Sequence, residues 1–218
     1  MGGNLMFDDV ERYLVGKDVY FDTAYTYLGG ASEKGIGRAL TSRYPRSAFR
    51  LAIKLPGWKL TSYDQCREVF REQLERCGVD YFDFYLMHAQ SQKNYDHYKN
   101  NDAYEEAFRL KKAGKVRHVG LSFHDTAEFL DKILTENPEV EVVQLQFNYA
   151  DYEDARVQSR KCYEVCRKHH KPVMVMEPVK GGTLVNLPQA ALELLPNGSP
   201  ASFAIRFAAG FEGIAMVL

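Results

Sequence analysis

The feature that most constrains this chain is a regular alternation. Short runs rich in branched and aromatic residues recur, each separated from the next by a longer charged stretch with helical spacing. The strand candidates are residues 19–22, 49–54, 81–88, 116–122, 140–147, 172–177 and 213–218. Several are almost continuously apolar, as strands covered on both faces should be. The segments between them carry helix punctuation. Over 66–77, Val69, Phe70, Leu74 and Cys77 form one stripe and Gly78 is a stop signal. Asp102 is placed to cap a helix ending at Gly114, and Asp125 with Glu128 has the capping-box spacing. Ser199-Pro200 opens a helix that Gly210 closes, and residues 8–14 offer one more near the start. Strands alternating this regularly with helices predict a parallel sheet with the helices outside it.

Two architectures satisfy that pattern: an open doubly wound sheet and a closed barrel. The open sheet would carry a glycine-rich nucleotide loop after its first strand. The nearest approach, Gly35-Ile36-Gly37, has Leu40 in place of the third glycine and sits inside an expected helix, so it fails as a fingerprint. The pattern therefore predicts an α/β fold of the (β/α)8 TIM-barrel type, as a single domain over residues 1–218, with no linker or low-complexity segment. Seven strands rather than eight, in 218 residues, lead to the expectation of a barrel incomplete at both ends. Barrels of this type usually need about 250 residues.

The charge balance, 28 Lys and Arg against 29 Asp and Glu, argues against a nucleic-acid partner. No apolar run is long enough for a membrane span, and the N-terminus lacks the pattern of a signal peptide. The four cysteines, Cys66, Cys77, Cys162 and Cys166, have no framework spacing, so a reducing, cytoplasmic location is expected. Cys162 and Cys166 lie four apart and read as core residues of a helix rather than metal ligands. His169-His170 sits at a helix C-terminus, where a cation complements the dipole.

In a parallel barrel the chemistry gathers at the C-terminal ends of the strands. Asp22, Lys54, His88 and Glu177 each end a strand candidate. Tyr27 follows Asp22 closely and adds a phenol, whose ordinary pKa of about 10 keeps it from exchanging protons freely at neutral pH. Lys54 would favour the phenolate and Asp22 would orient the lysine, while His88 could donate to an oxygen that gains charge. Together these groups describe protonation of a carbonyl oxygen as a hydride arrives. No side chain supplies a hydride, so a nicotinamide cofactor is implied.

From Tyr20 to Leu218 the chain resembles the aldo-keto reductases. Tyr20-Phe21-Asp22-Thr23-Ala24, then Tyr27, then Gly29-Gly30 and Ser32-Glu33 form the most specific match. Lys54 after Leu51-Ala52-Ile53, the strand leading to His88, and the run Gly114 to Ser122 complete it. The resemblance implies an NADP(H)-dependent reductase of aldehydes or ketones, NAD(H) being the other possible cofactor, with Asp22, Tyr27, Lys54 and His88 catalytic. It also implies that Ser122 and Gln144 bind the nicotinamide carboxamide, that Met176 covers the ring where many members have a tyrosine, and that Pro178, Lys180 and Gly182 hold the pyrophosphate. Phe123 stands where the family usually has asparagine. Met176-Glu177-Pro178 and Gly29-Gly30 look most like a bacterial or archaeal subgroup, whose members often add a cysteine cluster for iron–sulfur binding. That cluster is not expected here.

Trp58 lies four residues past Lys54 and reads either as a wall of the substrate pocket or as a surface anchor. The polar stretch 90–101 reads as a loop over the same rim. Two other classes stay open. A metal-dependent hydrolase barrel could use Asp22, His88, His124 and Glu177, but the His-x-His strand that usually opens such barrels is missing. A non-catalytic or truncated barrel, acting as a binding module, is the other.

Overall fold

The computed structural model of the chain describes residues 19–195 and 198–218. The helix expected at 8–14 lies outside them. Among the described residues there are seven strands: β1 (Val19–Asp22), β2 (Phe49–Leu55), β3 (Phe82–Gln90), β4 (Val116–Phe123), β5 (Val142–Gln146), β6 (Val173–Met176) and β7 (Ile214–Val217). Each falls on one of the apolar runs. The helices among them are α1 (Ala31–Ile36), α2 (Tyr63–Cys77), α3 (Tyr95–Asn100), α4 (Ala103–Lys112), α5 (Ala127–Glu136), α6 (Ser159–Lys168), α7 (Gln189–Leu192) and α8 (Pro200–Ala209). None is long and apolar enough to cross a membrane.

The chain divides into two compact units between Ser122 and Phe123. In the first, the strands lie in the order β1-β2-β3-β4. β1 and β2 are parallel, with Asp22 opposite Ala52, and β2 and β3 are parallel, with Lys54 opposite Leu86. Consecutive residues from Leu51 to Leu55 are all buried, which explains why the alternation of polar and apolar residues disappears there. α2 turns Cys66, Phe70, Gln73 and Cys77 inward and ends at Gly78, whose φ of +62° is the left-handed cap its position suggested. α1 runs on into a π-turn (Gly37–Thr41) that meets the end of α2 closely. A Cβ at Gly37 would run into the Arg76 carbonyl, so only glycine permits this approach.

In the second unit the order is β5-β6-β7, again parallel, with Gln146 opposite Met176. Its core is aromatic. Phe147 packs against Tyr152, Tyr163, Phe207 and Phe211 at ring-centroid separations of 5.0–5.8 Å. α6 buries Cys162 and Cys166 as free thiols, and Cys66 and Cys77 are buried and free in the first unit. Burial pushes the Cys66 and Cys162 thiols up to about 12. At the end of α6, His169 pairs with Asp131 at 2.5 Å.

Three expectations need correction. Asp102 does not cap α4: its φ of +48° makes it a left-handed joint between α3 and α4, and its side chain does not bond to the helix amides. The cap of α5 is Thr126, which accepts the Phe129 amide, while Asp125 accepts the Thr126 amide one residue earlier. Residues 90–101 are not simply a loop. They complete β3 and form α3, and the polar composition hid a three-residue spacing that buries Tyr95 and Tyr98.

Candidate active site

Strand parity assembles most of the site in the first unit. Side chains two apart share a sheet face, and paired residues of parallel neighbours point the same way. Asp22 opposite Ala52 and Lys54 opposite Leu86 therefore put Asp22, Lys54 and His88 on one face. Tyr27 arrives from the turn after β1, a 3₁₀ segment (Tyr27–Gly30) in which Leu28 and Gly29 take positive φ. Its amide donates to the Ala24 carbonyl at 3.1 Å, which fixes where the phenol begins.

The side chains meet around the Lys54 ammonium. It donates to Asp22 Oδ1, to the Thr23 carbonyl at 3.3 Å and to Tyr27 Oη at 3.3 Å. Tyr20 reaches Asp22 Oδ2 at 3.4 Å, and burial, reinforced by the Asp22 charge, raises its phenol well above the usual range. Tyr20 is thus a permanent donor to the carboxylate. The His88 imidazole stands edge-on to the Tyr27 ring, with centroids 5.6 Å apart. On its other contact, Trp58 lies 5.1 Å from His88 at 49°, and the indole is 38% exposed. Trp58 therefore borders the histidine while remaining open to solvent.

A second layer holds the lysine strand. Gln73 on α2 donates to the Lys54 carbonyl at 3.0 Å and to Glu33 at 3.3 Å, and Arg76 completes the group with a 3.0 Å bond to Glu33. Glu33 is wholly buried. Its motif was visible in the sequence, but Gln73 was hidden by its place on an apolar helix stripe. Tyr98 was also missed, because its segment read as a loop. Its hydroxyl donates to the His88 carbonyl at 2.5 Å.

Ser122 ends the first unit with its Oγ accepting the Ala89 amide at 2.8 Å, which leaves its hydroxyl proton for another acceptor. In the second unit, the β5–β6 register places Gln144 and Met176 on a common sheet face. Pro178 is buried, and the short helical turn Lys180–Gly182 follows with φ values of +49°, +59° and +93°. A Cβ at Gly182 would meet nothing, so the turn has open space beside it. The Lys180 ammonium is committed to Asp151, a fully buried carboxylate that also accepts from Gln146 and Asn148, each at 2.7 Å. Glu177 is exposed in this unit, and its carbonyl accepts from Asn148 at 3.0 Å. Among the described residues, no three His, Cys, Asp or Glu side chains group as a metal site would need.

The aldo/keto reductase family model matches residues 12–193. An aldo-keto reductase of Mycobacterium avium is 27% identical over 189 residues, covering 85% of this chain and 61% of that protein. The NADH-specific methylglyoxal reductase of Escherichia coli is 26% identical over 198 residues, covering 83% and 58%. The chain thus spans about three-fifths of the length of these curated relatives. An aldo-keto reductase of Bacillus halodurans in its holo form superposes with a TM-score of 0.74 at 24% identity, over 97% of this chain and 74% of that one. One from Klebsiella pneumoniae, solved with NADPH, gives 0.70 at 18% identity, over 100% and 78%. The fold is an incomplete (β/α)8 barrel of the kind these structures contain. With the match running through most of its length, the chain belongs to the aldo/keto reductase family.

Proposed function

We propose that this chain carries the catalytic centre of an NADP(H)-dependent reductase of aldehydes or ketones. The observation that supports it best is the Lys54 ammonium, which bonds to Asp22 on one side and lies 3.3 Å from the Tyr27 hydroxyl on the other. Tyr27 donates its proton to the carbonyl oxygen, and the positive charge beside it stabilises the phenolate left behind. Asp22 holds Lys54 aimed at the Tyr27 hydroxyl, and His88 orients the carbonyl oxygen by hydrogen bonding. Trp58 forms part of the wall around the substrate. A reduced nicotinamide bound beside this group would supply the hydride for the carbonyl carbon. Solvent then returns a proton to Tyr27.

The residues present suit that cofactor. Ser122 has a hydroxyl proton to give to a carboxamide, and Gln144 supplies an amide. Met176, on the same face as Gln144, offers a polarisable thioether to a ring. The left-handed turn Lys180–Gly182, behind Pro178, has room for an anionic group beside Gly182. With its ammonium on Asp151, Lys180 contributes mainly backbone there. Relatives named or solved with either NADH or NADPH leave both cofactors to be tried.

The test is Tyr27→Phe. It should abolish reduction of an aromatic aldehyde while NADPH still quenches the fluorescence of Trp58. Turnover retained in that variant would overturn the reading.

A further inference from the structure

We infer that Tyr98 is a positioning residue for the carbonyl site. Its buried hydroxyl ties the turn that carries Trp58 to the backbone of His88, close beside the exit of β2. The inference deepens the reductase reading above and rests on it for its kinetic consequence.

Tyr98 is completely buried. Its Oη lies 2.5 Å from the His88 carbonyl oxygen and 3.0 Å from that of Leu55, and it accepts the Gly57 amide at 2.8 Å. A phenol has one proton, so it donates along the shorter contact to His88 while a lone pair receives Gly57. Three backbone groups from three places thereby converge on one side-chain oxygen. The ring is as important as the hydroxyl, because a Cβ at position 57 would fall inside it. Only glycine lets the turn (Gly57–Lys59) come this close, and Trp58 is the next residue.

The consequence falls on His88. Its strand continues through Ala89, which takes a φ of +49°, a conformation that needs support from its surroundings. Three bonds supply it: Tyr98 holds the His88 carbonyl, Ser122 holds the Ala89 amide at 2.8 Å, and Asn94 Nδ2 donates to the Ala89 carbonyl at 2.7 Å. Trp58, placed by the Gly57 end of the clamp, packs on the His88 ring at 5.1 Å. Imidazole and indole are thus set by one hydroxyl, and removing it should loosen both together. A catalytic donor displaced by a fraction of an ångström loses much of its effect.

The experiment is Tyr98→Phe, which keeps the ring against Gly57 and removes only the oxygen. Trp58 is the single tryptophan, so acrylamide quenching of its emission reads the turn directly. Quenching should rise in the variant. With NADPH and an aromatic aldehyde, kcat/KM for the aldehyde should fall about tenfold while the KM for NADPH stays within about twofold. Unchanged quenching together with unchanged kcat/KM would overturn the inference. So would an equal loss in NADPH binding, which would mark general damage. If the wild-type chain reduces no carbonyl, the reductase reading fails, and the quenching comparison still decides the clamp. A variant too unstable to purify is bypassed by hydrogen exchange in the wild type. There the Gly57 amide should be as protected as strand amides, and rapid exchange would sink the idea.

Discussion

Lys54 and Asp22 form an ion pair in which neither side chain is more than 5% exposed. Such a pair is costly to break from one side, because the remaining charge is left buried without compensation. Asp22→Asn should therefore lower stability by about 3 kcal/mol at neutral pH. On the proposed reductase reading, reduction should fall by about a hundredfold, because the lysine is no longer held in place against the Tyr27 oxygen. The double variant Asp22→Asn with Lys54→Met separates the two effects. It removes the stranded charge and should be more stable than Asp22→Asn while remaining inactive. Urea titrations and aldehyde turnover on the two proteins check this, and a double variant no more stable than the single one would contradict it.

Glu33 behaves differently, because it is buried against partners that compensate it only in part. Burial raises its carboxyl, and the hydrogen bonds from Arg76 and Gln73 bring it back incompletely, so it stays above the ordinary carboxylate range. A carboxyl raised on folding binds its proton more tightly in the native state. Its contribution to stability is full below the unfolded value and declines as pH rises through the folded one. Glu33→Gln should abolish that decline. The stability difference, wild type minus variant, should shrink as pH rises above about 4.5, the ordinary carboxylate value. Urea midpoints at several pH values measure it, and a difference that grows with pH would show the sign to be wrong.

The buried thiols make a simpler prediction. Burial raises all four, Cys66 and Cys162 to about 12 and Cys77 and Cys166 further still. A thiol held in that range carries almost no thiolate near pH 8. The native chain should leave a thiol reagent such as DTNB unreacted over minutes, and release all four equivalents once denatured. A fast equivalent from the native chain would mean that one cysteine is open to solvent.

Much of this fold was legible because parallel strands buried on both faces leave continuous apolar runs. All seven runs became strands, with no end shifted by more than two residues. The grouping of Asp22, Lys54 and His88 was legible for a related reason, since strand periodicity puts these three ionisable groups on one sheet face near the strand ends. Residues acting through the backbone were not legible. Gln73 sits where an apolar residue would serve the helix stripe equally well, and only the position of the Lys54 carbonyl shows why it is polar. Tyr98 was obscured by its polar neighbours, and its partner Gly57 is explained only by a ring forty-one residues away in the chain. The capping errors have the same origin. Asp102 and Asp125 both suit a cap, and the choice between neighbouring candidates depends on the angle at which the chain enters the helix.

Asp151 offers the last prediction, with the opposite pH dependence to Glu33. Burial alone would raise its carboxyl, but hydrogen bonds from Lys180, Gln146 and Asn148 outweigh that and hold it below the usual range. A carboxyl lowered on folding adds stability above its unfolded value and loses it as pH falls through the folded one. Asp151→Asn should therefore destabilise the chain near neutrality by about 2 kcal/mol, a value kept modest because Lys180 is partly exposed and can be hydrated once released. The penalty should vanish in acid, where the wild-type carboxylate is itself protonated. The same substitution frees one end of the turn Lys180–Gly182, whose positive φ values need external support. Hydrogen exchange should accelerate at 180–184 in the variant while the strand amides of β5 and β6 keep their protection. If the turn stays as protected as before, the Lys180–Asp151 pair is not what holds it, and the bonds from the turn back to Val179 and Lys180 suffice on their own.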